Sequence, residues 1–124
     1  MASKHNWLRL LVLVAIVAAL ALPMAAAAQA ANGITSPADG ATVSGTVEVM
    51  GVANDPNFKK WQLDVLPGGN ADAAIFVALG ENPGEVMASL DTTEFPNGEH
   101  ALRLRVVKSN SNYDEYTSKF TIAN

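Results

Sequence analysis

The chain contains no cysteine among its 124 residues, so it can hold no disulfide and no acylated lipoprotein cysteine. Positive charge is scarce, with eight Lys and Arg against twelve Asp and Glu. Lys4 and Arg9 are the only charged side chains before Asp39, and setting them aside leaves six basic and twelve acidic residues, a net charge of −6. Such a balance disfavours nucleic acid and anionic membrane surfaces as partners. Histidine is nearly missing too: beyond residue 30 only His100 is present. No helical period in hydrophobicity appears after residue 31, so an α-helical domain is not expected.

What is present begins with an export signal. Lys4 and Arg9 precede Leu10 to Leu22, a run without a polar residue, and small residues follow to Ala28-Gln29-Ala30, an A-x-A cleavage site. Residues 1–30 read as a signal peptide cleaved after Ala30, leaving 31–124 as one small domain. The competing reading is an uncleaved anchor over residues 7–30, because the apolar stretch approaches the ~20 residues a membrane-spanning helix needs. Pro23 and the Ala-rich end count against a full span. Either way the remainder faces away from the cytoplasm, since the basic residues stay inside. An exported domain without disulfides points to a bacterial-type envelope or extracellular setting.

Residues 31–124 are written as strands. Ile34 to Val43 is a short edge strand interrupted by Pro37 and Asp39-Gly40. Val47, Val49, Gly51 and Ala53 share a face, with Gly51 leaving room for a bulky neighbour, expected to be Trp61. Trp61, Leu63 and Val65 alternate with Lys60, Gln62 and Asp64, and Val86, Ala88 and Leu90 make another apolar face. Asn97-Gly98 is a turn pair tolerant of positive φ. Beyond it His100, Leu102, Leu104 and Val106 point inward while Arg103 and Arg105 point outward. After a hairpin loop at 109–112, the last strand presents Tyr116, Ser118, Phe120 and Ile122 to the core. About seven short alternating strands with regular turn signals predict an all-β, two-sheet antiparallel sandwich.

The succession Ile34-Thr-Ser-Pro-x-x-Gly40, Val43-Ser-Gly45-Thr-Val-x-Val49-x-Gly51-x-Ala53, Phe58 with Trp61-x-Leu63, Leu90-Asp-Thr-Thr93, Pro96-Asn-Gly98 and Leu102-Arg-Leu-Arg-Val-Val107 resembles the immunoglobulin-like or fibronectin-III-like modules of bacterial envelope proteins. The resemblance implies an immunoglobulin-like β-sandwich and an accessory role beside cell-wall enzymes, lipoproteins and surface proteins. It names no ligand. In many such domains a tyrosine closes the corner before the Leu-Arg-Leu run. Here His100 stands there.

Each candidate site competes with a plainer role. His100 lacks a nucleophile motif beside it, so a structural role is expected for it, together with Trp61, Leu102 and Leu104. An exposed Trp61 would suit a sugar platform, but its face is shared with Leu63 and Val65, which favours the core. Asn110-x-Asn112-x-Asp114 copies the opening of a calcium loop but lacks the following glycine and the closing glutamate. In a sandwich the 54–57 and 109–112 loops emerge at one end, so Asp55, Asn57, Asn112 and Asp114 form a weak candidate cation site. No resident metal or cofactor is expected.

Ala73 to Leu79 is apolar without alternation, so it is either an exposed edge suited to pairing with another chain or a connector folded over the core. With Ile75, Phe76 and Val77, the outward Arg103, Arg105 and Tyr113 make the expected partner-binding face, with Asp64 and Lys119 beside them. The function expected from sequence is therefore an exported, noncatalytic interaction module binding a protein partner. Its alternatives are a single-span accessory subunit of a membrane complex and a cell-wall or glycan-binding module.

Overall fold

The computed structural model describes residues 31–83 and 86–124; the signal or anchor segment, residues 1–30, lies outside them. Among the described residues eight strands follow one another: β1 (Gly33–Ser36), β2 (Ala41–Val43), β3 (Thr46–Val52), β4 (Phe58–Pro67), β5 (Ile75–Gly80), β6 (Val86–Asp91), β7 (Gly98–Lys108) and β8 (Tyr113–Ile122). They form two sheets, β1-β3-β6 and β2-β8-β7-β4-β5. All pairings are antiparallel except β2 with β8. The protein is an all-β sandwich, as the alternation predicts.

The extra strand comes from the interrupted first segment. Pro37 and Gly40 break it into two short pieces, because proline cannot donate to a ladder and Gly40 takes a φ of +83°. β1 then serves the smaller sheet and β2 the larger.

Between the sheets lie Val49, Leu63, Val65, Leu102, Leu104, Val106, Phe120 and Ile122, all buried. At about 1.5–3 kcal/mol for each large apolar side chain taken from water, this layer is the main source of stability. β7 is central because it pairs with β4 along one side and with β8 along the other.

Two expectations about packing are corrected. Trp61 lies over Gly80, whose absent Cβ is the space its indole fills, while Gly51 faces the Gly33 carbonyl and the Met87 thioether. β6 also changes phase: Val49 pairs with Ala88 and Met50 with Val86, so Met87 is an extra residue. The bulge turns Met87 into the core and leaves Val86 exposed, against the face predicted from Val86, Ala88 and Leu90. At the Asn97-Gly98 corner only Gly98 has positive φ, +125°. Asn97 instead works through its side chain, which accepts from the Asn124 N–H at 2.8 Å and donates to the Asn124 carbonyl at 3.1 Å.

His100 closes the corner. Its Nε2 lies 2.7 Å from the Pro96 carbonyl, and Gly68 donates its N–H to Nδ1 at 3.1 Å. A carbonyl only accepts and an N–H only donates, so the two bonds select the neutral tautomer protonated at Nε2. The ring packs between Phe95 and Phe120. His100→Phe keeps that packing but strands the Pro96 carbonyl and the Gly68 N–H. We expect a loss of about 2 kcal/mol, read as a lower denaturant midpoint at unchanged slope.

Candidate functional site

The outer face of the five-stranded sheet gathers most of the unusual chemistry. Cross-strand register sets Asp64 opposite Arg103, Gln62 opposite Arg105, and Arg105 opposite Glu115. Arg103 donates to Asp64 Oδ2 at 2.9 Å through a terminal nitrogen, and Gln62 donates to both Asp64 oxygens at 3.1 and 3.2 Å. Arg105 Nε donates to Glu115 Oε1 at 2.6 Å, while its guanidinium carbon sits 4.5 Å from the centre of the Tyr113 ring. The Glu115 hydrogen bond raises the Arg105 pKa, so its charge is permanent.

This ladder corrects the picture of a freely exposed charged face. Asp64 is only 2% exposed, and the Arg103 side chain 11%. The two neutralise each other inside the sheet surface, beside Leu66 and Ala101, which are also buried on that face. A 3-10 turn at Ala71–Ala73 packs on β4, held at its start by the Asn70 side chain accepting from the Asp72 N–H at 3.0 Å. Arg105 is half-buried and Tyr113 exposed, so they remain accessible to a partner.

The apolar run forms an edge strand. Among the described residues β5 pairs with β4 on one side only, and Ile75, Phe76 and Leu79 are 45%, 60% and 51% exposed. Val77 and Ala78 turn toward the core and are half-buried. Leu63 pairs with Ala78 and Asp64 with Phe76, so Val77 is an extra residue in β5. That bulge puts Phe76 and Leu79, three residues apart, on the same outer face as Asp64 and Gln62. Leu79 and Glu115 belong to this site and were not singled out from sequence, because neither the bulge nor the Arg105 pairing shows in an alternation pattern.

At one end of the sandwich the 54–57 and 109–112 loops do meet, with Ser109 donating to the Asn57 carbonyl at 2.8 Å. Lys108 reaches Asp114 at 3.2 Å and Asp55 at 3.8 Å. Its ammonium is thus the cation between these carboxylates, and the hydrogen bond to Asp114 raises its pKa. Asn57 and Asn112 contribute backbone carbonyls to the turns, Asn112 accepting from the Lys108 N–H at 2.8 Å. Among the described residues no group of three or more carboxylate or imidazole side chains is placed to hold a metal ion.

Trp61 is 5% exposed, and its Nε1 donates to the Asn82 carbonyl at 2.8 Å, so it offers no platform to a sugar. A groove of about 450 Å³ borders Gly68, Gly69, Glu99, Thr117, Lys119 and Thr121. His100 also lines it, but both ring nitrogens are engaged with backbone.

Comparison with solved structures agrees with the architecture. An endo-β-1,4-mannanase from Thermotoga petrophila matches with a TM-score of 0.60 and 24% identity over 79% of this chain. The fold is a two-sheet β-sandwich. This chain spans about a fifth of that enzyme's length, 20%. CopC from Methylosinus trichosporium OB3b matches at a TM-score of 0.43 and 19% identity, covering 74% of this chain and 93% of that one. Murine CRIg matches at 0.44 and 11%, covering 75% and 97%. No family model and no curated protein matches the sequence. At 24% identity the likeness to the mannanase concerns the fold alone.

Proposed function

We propose that residues 31–124 are an exported, noncatalytic immunoglobulin-like interaction module of the cell envelope or extracellular space. It binds a protein partner through the β5 edge and the adjoining outer face. The observation that supports this reading is the exposure of Ile75, Phe76 and Leu79 on a strand with one free side. Such an edge offers backbone donors and acceptors for pairing together with apolar anchors for specificity. Arg105, held over Tyr113 and bonded to Glu115, supplies a rigid polar rim beside it. The export half of the reading rests on the layout of residues 1–30, and a mature N-terminus at Ala31 by mass spectrometry would separate it from a membrane-anchored subunit.

The paired substitution Phe76→Asp and Leu79→Asp tests the binding half. Both side chains are more than half exposed, so folding stability should change by no more than about 0.5 kcal/mol. Partner affinity should fall at least about a hundredfold, as expected when anchors of an apolar patch are replaced by charge. Crosslinking from residue 79 in producing cells, undiminished by the change at Phe76, would refute the assignment. Arg103 is unsuited to this test, because removing it leaves Asp64 buried without its ion pair.

A further inference from the structure

We infer that Asn32 and Asn97 are self-modification sites: each is an asparagine poised to lose its side-chain amide as ammonia, and each is kept latent by a clasp to a distant main chain. They are the two Asn-Gly steps of the sequence. Neither residue belongs to the β5 edge, so the assignment is independent of what binds there.

The two clasps share one geometry. Gly98 is the first residue of β7 and pairs with Ile122, and Asn97 just before it bonds to Asn124, two residues past that partner. Gly33 is the first residue of β1 and pairs with Val52, and Asn32 bonds to Asn54, again two residues past. In both, the side-chain amide accepts the distant N–H and donates to the distant carbonyl, at 2.8 and 3.1 Å for Asn97 and at 2.7 Å for each bond of Asn32. Nδ2 of Asn32 also reaches the Tyr116 hydroxyl at 3.5 Å. The amide thus stands in for a backbone peptide and carries the ladder one step beyond the strand. Asn70 and Asn110 behave otherwise, accepting from the N–H two residues on to close local turns.

Asn-Gly is the step at which an asparagine closes on its own chain most readily, because glycine has no Cβ to shield its nitrogen. The fold cannot avoid that step here, since φ is +141° at Gly33 and +125° at Gly98, a region that favours glycine. The glycine nitrogen attacks Cγ of the asparagine, the Cγ–Nδ2 bond breaks, and Nδ2 leaves as ammonia with the proton from the glycine N–H. Solvent water then opens the five-membered imide at one carbonyl or the other, giving aspartate or an isoaspartate whose main chain runs through Cγ. Ring closure needs Cγ to swing onto the neighbouring nitrogen. While Oδ1 and Nδ2 are both bonded across the ladder, the amide is held toward the other strand, so the reaction waits on the clasp.

Conversion runs one way and undoes the clasp. The product carboxylate cannot donate, so an oxygen replaces Nδ2 opposite the carbonyl of residue 54 or 124, acceptor against acceptor. β1 has the most to lose, because it is four residues long and among the described residues pairs with β3 alone, at Gly33, Ile34 and Ser36. β7 is held along both sides by β4 and β8, so conversion of Asn97 loosens the corner and leaves the strand in place.

The full 124-residue chain is incubated in mildly alkaline buffer, folded and unfolded in urea, and both Asn-Gly peptides are mapped by mass spectrometry for replacement of NH2 by OH. Two hydrogen bonds must open first in the folded chain, so both sites should convert about thirtyfold more slowly there. One clasp can be loosened alone. The Asn124 side chain anchors its own main chain, accepting from the Gly45 N–H at 2.7 Å and donating to the Thr92 hydroxyl at 3.2 Å. Asn124→Ala removes both anchors, so Asn97 should convert about tenfold faster while Asn32 in the same molecules keeps its rate. Asn32→Asp installs a product directly and should speed amide hydrogen exchange across β1 at least about tenfold, with β7 unchanged. Equal rates in folded and unfolded chains overturn the assignment, as does an Asn124→Ala chain in which Asn97 keeps its rate or gains no more than Asn32. Unchanged exchange across β1 in Asn32→Asp overturns the clasp at that strand.

Discussion

Arg103→Met should lower the folding free energy by about 3–5 kcal/mol, among the largest effects of any single change in the outer face. Asp64 is 2% exposed, and its remaining side-chain partner would be the Gln62 amide, so a carboxylate would be left in the sheet surface without a counter-charge. For a domain of this size each kcal/mol moves the thermal midpoint by about 4–8 °C, so the loss reads as a drop of more than about 12 °C. The reverse change is milder. After Asp64→Leu, the Arg103 side chain, 11% exposed, still has Glu115 at 3.9 Å and water within reach. We expect a loss of about 1–2 kcal/mol there. The double substitution removes both charges and should recover most of the stability lost in Arg103→Met, because an apolar pair of similar volume replaces a buried ion pair at little cost. Denaturant titration of the three variants checks this. Equal single effects, or a double variant as unstable as the sum, would show that the ion pair is not what holds the two residues there.

Gly80→Ala is the second large effect. A Cβ at residue 80 would overlap the indole of Trp61, with the nearest built contacts falling on its five- and six-membered rings. Gly80 belongs to β5 and pairs with Trp61 on β4, so the backbone cannot retreat without opening the ladder. The indole must tilt away, which breaks its bond to the Asn82 carbonyl and opens space between Trp61 and the core. Overpacking costs about 1–3 kcal/mol and the stranded polar groups about 1–3 more, so we expect about 3–5 kcal/mol in all. Trp7→Phe isolates the signal of Trp61, whose emission should shift to longer wavelength with the fall in midpoint. Gly51→Ala is a contrasting control, since part of its crowding comes from the flexible Met87 side chain. An unshifted emission with unchanged stability in Gly80→Ala would mean that the indole has a second place to rest.

Most of the frame was legible without coordinates. In β4, β7 and β8 the period-two pattern holds because one face of each strand meets the core directly: Leu63, Leu102, Leu104 and Phe120 lie where alternation puts them. At the corner His100 points inward, where alternation puts it, and its Nε2 lies 2.7 Å from the Pro96 carbonyl. The breaks at Pro37 and Gly40 were also visible, since they follow from single-residue φ limits.

Where reading failed, an extra residue or a pair distant in sequence decided the outcome. Met87 and Val77 are bulge residues, and a bulge reverses every later face assignment in its strand without any mark in the hydrophobic pattern. The partner of Trp61 was misassigned because a glycine announces only that something lies close, not which side chain it is. Asp64 looks solvent-facing by phase, and by phase it does point outward. Its burial comes from Arg103 and Gln62, supplied from across the ladder and from two residues away.

Sequence alone determined that residues 31–124 are cysteine-free and all-β, because strand periodicity and turn chemistry are local properties of the chain. Tertiary structure alone decided that β5 lies at an edge and that its bulge brings Phe76 and Leu79 onto one exposed face. Which strand is left without a neighbour depends on how all the others pair, and that information is not carried by any single segment.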